Sequence, residues 1–264
     1  MQQMEYDSKQ VELERGVAGI LCAPSLGKDT PAVLMLHGFA SHKNEVGDLF
    51  KLLAESLATQ GIISLRIDFR GWGDSAGDMA DTTVDTLRED TRISLEYLAQ
   101  LEETDASRLG LLGFSLGGAT AVLTASELPD QIKSLVTWSS AGELEKDFRR
   151  SLGNAAFETT QSEGEVEIDM GWRSVRLKKG FFESLSNYAP ITAIQNYFGA
   201  FFNVAGTEDF SAHYLDTYYE NAAGEIKDRL LIEGADHIFN VLNDRAPFAE
   251  QALQATSEWF LKTL

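Results

Sequence analysis

One cysteine, Cys22, is all this 264-residue chain contains. That excludes an intramolecular disulfide and a cysteine-based metal site. Long hydrophobic runs are missing too: none reaches the roughly 18 apolar residues that a membrane span needs. The opening segment MQQMEYDSKQVELERG is polar and has no apolar h-region of a secretory signal, so the cytoplasm is the expected location. Basic residues are scarce, with 22 Lys+Arg against 41 Asp+Glu and a net charge of −19. Such a surface repels nucleic acid and anionic lipid, which excludes both as expected partners.

Hydrophobic residues make up 44% of the chain, enough for a sizeable core. There is no internal repeat and no low-complexity segment. Short apolar runs near 10–15, 17–23, 32–37, 62–67, 108–113, 132–138, 200–205 and 228–232 read as strands. Helical patterns fall near 46–60, 84–103, 115–128, 211–222 and 244–263. Continuous apolar strands alternating with helices predict an α/β chain with a mostly parallel central sheet of about eight strands and helices on both faces. The first two strands have no helix between them and are expected to form an antiparallel hairpin at the sheet edge. Residues 139–199 break the rhythm, being far longer than one crossover helix requires. Within them EGEVEIDMGWRSVRLKKG reads as a β-hairpin turning at Met170-Gly171, with an acidic strand beside a basic one. The expected organisation is a core of 1–138 and 200–264 with 139–199 inserted as a cap.

LLGFSLGGAT places Ser115 between Gly113 and Gly117, after a strand and at the start of a helix. That is the setting of a nucleophile elbow, in which a sharp turn exposes the hydroxyl. It is equally the setting of a serine N-cap flanked by packing glycines. A nucleophilic serine needs a base, and four histidines are available. His237, in the loop IEGADHIF after the last strand, occupies the place that the chain order Ser…Asp…His requires. His37 reads as a structural residue of its turn, His42 as solvated, and His213 as surface or pocket rim. The carboxylate between them is expected after the strand at 200–205, where Asp209 is favoured and Glu208 is the alternate. Asp236 adjoins His237 and is badly placed to reach its Nδ1. A pair of backbone N–H groups, from Phe39 after Gly38 and from Leu116 at the helix start, would complete an oxyanion hole.

Five segments in order, HGFASHKNE, DFRGWGDSAG, GFSLGG, GTED and EGADHIF, resemble the signature segments of α/β-hydrolases. The resemblance is to the cinnamoyl/feruloyl-esterase-like branch, related to serine aminopeptidase-like hydrolases, and covers roughly 30–140 and 200–264. It implies Ser115 as nucleophile, His237 as base, Asp209 as its orienting acid, and the Phe39 and Leu116 amides as oxyanion donors. It also implies a structural role for Asp68, Gly71, Gly73 and Ser75. The family often has Val-Pro shortly after the aspartate, whereas this chain reads DFSAH. The expected activity is hydrolysis of a small-molecule carboxylic ester, aryl or cinnamoyl esters among them, with no cofactor and no metal. A peptidase, amidase or thioesterase with the same triad is the alternative, and a binding protein that kept the fold is a further one. Trp138, Trp172, Phe181, Phe182 and Tyr188 are candidates for an apolar pocket or for packing the cap. Arg149, Arg150, Arg173 and Arg176 are candidates for an acidic substrate group, against a solvated or cross-strand-paired role.

Overall fold

A computed structural model describes residues 5–25, 27–243 and 247–264. Its strands are β1 (Tyr6–Glu12), β2 (Ala18–Pro24), β3 (Thr30–Leu36), β4 (Ile63–Ile67), β5 (Thr104–Phe114), β6 (Ile132–Trp138), β7 (Glu165–Asp169), β8 (Ser174–Lys178), β9 (Ala200–Gly206) and β10 (Lys227–Ile232). Its α-helices are α1 (Leu49–Thr59), α2 (Val84–Gln100), α3 (Leu116–Glu127), α4 (Leu144–Leu152), α5 (Asn154–Glu163), α6 (Lys179–Leu185), α7 (Pro190–Ala193), α8 (Leu215–Asn221) and α9 (Phe248–Thr263). Of the helical pattern at 244–263, residues 244–246 lie outside the described residues.

Eight strands form one sheet in the order β1-β2-β4-β3-β5-β6-β9-β10. β1 and β2 pair antiparallel at the edge, β2 meets β4 antiparallel, and every later pairing is parallel. The central strands are mostly apolar because both faces are covered, with Ser64, Arg66, Ser134, Thr137 and Asn203 among their buried polar residues. Leu34 and Leu36 of β3 and Leu109 and Leu111 of β5 pack with residues of α2 and α3. Val33, Met35, Leu112 and Phe114 point to the other face, with residues of α1 and α9. β1 begins four residues before the apolar run near 10–15, because its outer residues are exposed and carry no apolar signal. The end of that run instead forms a tight 3-10 turn at Glu14–Gly16.

Strand order reverses between β3 and β5, so the loops after these two strands diverge and leave a crevice at their carboxyl ends. Two further loops border it, Asp68–Ser75 after β4 and the segment after β9. Asp68 is fully buried and clips its own loop to the one after β3. Its Oδ1 accepts the Lys43 N–H at 2.6 Å, while its Oδ2 accepts the Asp74 N–H at 2.8 Å and Lys43 Nζ at 2.6 Å. Ser75 Oγ donates to the Asp68 carbonyl and accepts the Ala18 N–H. Gly73 has φ +51°, and a Cβ there would stand 2.2 Å from the Asp68 carboxyl carbon.

Residues 139–199 hold α4 to α7 and the separate two-stranded sheet β7-β8. Met170 N–H donates to the Arg173 carbonyl, so Gly171 and Trp172 form the centre of the turn, one residue later than the sequence suggests. Glu165 lies opposite Lys178 and Glu167 opposite Arg176, as an acidic strand beside a basic one implies. The basic ends nevertheless reach past the hairpin: Arg176 pairs with Asp78 and Lys178 with Asp81, across to the loop before α2. Between them the inward-facing Val175 and Leu177 are fully buried. α6 is tied to α2 through Ser184 Oγ, which accepts the Val84 N–H at 3.0 Å.

The Asp68 clip makes a stability prediction. Gly73→Ala forces both a strained φ and a clash with a buried carboxylate, and should lower the unfolding free energy by about 2 kcal/mol or more. Urea denaturation of the variant against the unaltered chain measures it; an unchanged midpoint contradicts the account.

Candidate functional site

Ser115 sits where β5 turns into α3, with φ +53° and ψ −113°, a conformation that L-residues adopt only under constraint. Two backbone contacts supply the constraint. The Ser115 N–H donates to the Trp138 carbonyl at 2.8 Å, and the first turn of α3 is pressed against the end of β3. A Cβ on Gly113 would lie 2.1 Å from the Gly117 carbonyl oxygen, and one on Gly117 2.1 Å from that of Leu36. The flanking glycines are thus dictated by close backbone approach. Ser115 itself is half-buried, and its side chain does not cap the helix.

His237 arrives from the loop after β10. Its Nε2 is 3.2 Å from Ser115 Oγ and its Nδ1 is 2.8 Å from Asp209 Oδ1. The ring lies between Phe114 and Phe210, with centroids 5.3 and 5.0 Å away. The loops carrying His237 and Asp209 are laced together: Thr207 N–H donates to the Ile232 carbonyl, Glu208 N–H to the Ala235 carbonyl, and Gly234 N–H to Thr207 Oγ1. Asp209 is the buried carboxylate of the GTED segment, whereas Glu208 is exposed. Burial pushes the Asp209 carboxyl up, but the hydrogen bond and charge of His237 and the Ser211 hydroxyl outweigh it and hold it below its usual value. Asp236 does not face the His237 ring in this way; its Oδ1 accepts the Ile238 and Asn240 N–H groups and shapes the loop.

Phe39 and Leu116 meet across the crevice. Leu116 opens α3, so its N–H has no partner within the helix. Both residues, with His37, Gly38 and Trp72, line one small cavity. His37 is buried and holds this turn: Phe69 N–H donates to its Nε2 at 3.2 Å, which places the proton on Nδ1, 2.7 Å from the Gly38 carbonyl. Burial drives its pKa down to about 4, although the Gly38 contact and the Asp68 charge oppose the shift. His42 and His213 are exposed.

Two residues here escaped the sequence reading. Glu45 is buried, and its Oε1 accepts the Gly38 N–H at 2.9 Å while its Oε2 accepts the Ser41 hydroxyl and the Val46 N–H. Burial raises its carboxyl above the usual value against the pull of these donors. An acidic residue in a polar loop reads as solvated, so only the fold reveals that it braces the His37-Gly38 peptide, one unit before the Phe39 N–H. Ser211 stands in DFSAH, the stretch that departs from the family pattern, and its hydroxyl donates to Asp209 Oδ2.

The other candidates divide by location. Trp138 is buried on the α1/α9 face, where its Nε1 donates to Thr256 Oγ1. Phe181 and Phe182 are buried, and Phe181 stacks on Phe39 at 5.7 Å, with Phe148 edge-on to both. Tyr188 lies under the Arg88 guanidinium, and Trp172 is 71% exposed at the hairpin tip. Arg149 pairs with Glu145 and Arg176 with Asp78, and Arg150 is exposed. Arg173 alone of the four touches the crevice loops. The larger cavity, about 480 Å³, lies at the opposite end of the sheet between Ile132, Phe198 and Ile226, remote from Ser115.

The fold and this arrangement define an α/β-hydrolase. More particularly, the chain belongs to the family described as Serine aminopeptidase, S33, whose profile matches residues 27–165, just over half of it. Among solved structures, Est1E from Butyrivibrio proteoclasticus with bound ferulic acid is similar with a TM-score of 0.79, covering 97% of this chain and 98% of that one at 20% identity. The esterase domain of a Rhodothermus marinus protein is similar with a TM-score of 0.67, covering 97% and 98% at 23% identity. At these identities the likeness is one of fold. Among curated proteins, Lipase 1 of Psychrobacter immobilis is 32% identical over 48% of this chain and 37% of its own length. The quorum-quenching protein AidA of Acinetobacter baumannii is 27% identical over 47% and 38%. The matched stretch thus spans well under half the length of these relatives. Among the described residues no helix is long and apolar enough to cross a membrane.

His37 makes a pH prediction. Its pKa in the folded chain is depressed below the unfolded value of about 6.5, so its contribution to stability is fully present above pH 6.5 and is lost as pH falls toward 4. The loss amounts to about 3 kcal/mol across that window. Urea midpoints at pH 7 and 4.5 should converge in His37→Asn relative to the unaltered chain, and parallel slopes contradict it.

Proposed function

We propose that the protein is a serine hydrolase that cleaves carboxylic esters of small molecules through an acyl-enzyme. The observation that carries this reading is one ring joining two groups: His237 reaches Ser115 Oγ with Nε2 and buried Asp209 with Nδ1. Asp209 keeps the proton on Nδ1 and leaves Nε2 free to accept one. Ser115 Oγ attacks the ester carbonyl as its proton passes to His237 Nε2. The tetrahedral oxyanion is held by the Phe39 and Leu116 N–H groups, aided by the positive end of α3. Collapse breaks the C–O bond, and His237 returns the proton to the departing alcohol. Water, deprotonated by His237, then attacks the acyl-enzyme and releases the acid and Ser115. We assign 139–199 as a cap over a core of 1–138 and 200–264, with Phe39, Phe148 and Phe181 as an apolar wall toward the bound ester.

The family description favours a second reading, cleavage of amide bonds at a peptide end by the same residues. Turnover of aminoacyl p-nitroanilides above that of p-nitrophenyl acetate would support it over the ester reading.

Ser115→Ala should abolish hydrolysis of p-nitrophenyl acetate by about 10⁴-fold or more and prevent covalent labelling by a fluorophosphonate probe. Retained turnover in that variant overturns the proposal. Glu45→Ala frees the His37-Gly38 peptide that leads into the Phe39 N–H, and should lower kcat about tenfold to a hundredfold with little change in KM. A rise in KM alone would show that Glu45 serves binding and not the oxyanion donors.

A further inference from the structure

The basic strand of the hairpin is almost wholly neutralised. Arg176 pairs with Asp78 and lies 3.5 Å from Glu165, Lys178 pairs with Asp81, and Lys179 pairs with Glu183. Arg173, at the turn, has no carboxylate within ion-pair distance among the described residues. It is half-buried, with its guanidinium carbon 5.3 Å from the centroid of Trp72. Its Nη1 reaches only the Ala40 carbonyl, at a long 3.4 Å. Trp72 in turn meets Phe39 edge-on at 5.7 Å.

These contacts place a fixed positive charge beside the oxyanion loop. Ala40 directly follows Phe39, so the guanidinium stands on the order of 10 Å or less from the Phe39 N–H, two peptide units away. Most of its five donors are unengaged, and the aromatic face beneath it holds the planar group in place. A chain with net charge −19 repels anionic substrates at long range. A lone cation at the crevice reverses that locally, and a guanidinium suits a carboxylate through two parallel hydrogen bonds.

We propose that Arg173 is the anion-binding group of the substrate site, and that the favoured substrates are esters bearing a carboxylate a few bonds from the scissile carbonyl. The proposal rests on the serine-esterase reading above. The carboxylate is carried on the acyl or on the alcohol side, and paired probes separate the two. Mono-p-nitrophenyl glutarate against p-nitrophenyl butyrate tests the acyl side, and 4-acetoxybenzoate against phenyl acetate tests the alcohol side. Arg173→Gln should lower kcat/KM for the charged member of at least one pair about tenfold more than for its neutral partner, and Arg173→Lys should recover part of that difference. The difference should shrink as ionic strength rises. Equal losses on charged and neutral esters would overturn the proposal and leave Arg173 as a brace for Ala40. So would equal retention of both. Failure of the parent reading appears separately, as neutral-ester hydrolysis that survives Ser115→Ala.

Discussion

The close approach of α3 to the end of β3 is the constraint on which the rest of the site depends. With Gly117 pressed against the Leu36 carbonyl, α3 can leave β5 only through a turn that forces Ser115 to positive φ. The same contact sets the first N–H groups of the helix beside the loop that follows β3. Position and polarity therefore come from one packing decision: the hydroxyl is lifted clear, and the positive end of the helix lies under it.

Around that contact the supports are electrostatic and fully paired. Asp68 and Glu45 are both buried carboxylates, and each is satisfied mainly by backbone N–H donors of the two loops at the crevice. Burying an unpaired charge would be prohibitive, so each carboxylate enforces the loop shape that solvates it. His37 adds a neutral bridge between the same loops. The walls are thus rigid where donors must be aimed. The hairpin at β7-β8 is fastened differently, by buried Val175 and Leu177 and by exposed ion pairs that salt weakens.

The parallel core was legible because its strands are buried on both faces and announce themselves as apolar runs. β1 was misplaced because an exposed edge strand such as Tyr6–Glu12 carries polar residues on both sides. The grouping of Ser115, His237 and Asp209 was legible because strand-end loops and chain order restrict the choices, and the burial of Asp209 against the exposure of Glu208 distinguishes two neighbours that sequence alone left open. Glu45 and Ser211 were not, and Arg173 stood out only as one of four arginines that could meet an acidic group. What each does depends on partners far away in sequence or on a loop's path, and local composition gives no sign of either.

The hydrogen bond between Ser115 and His237 spans 122 positions of chain. During synthesis the residues of the elbow are therefore made long before His237 exists, and β9 and β10 must both dock before the two loops that carry Asp209 and His237 can be laced together. Domains of this size gain such long-range contacts late. On the proposed reading Ser115 stays silent through translation and early folding, and activity becomes a report on the last part of the sheet to assemble. Recovery of hydrolysis after refolding would follow closure of the sheet at β10, not formation of the helix that begins beside Ser115.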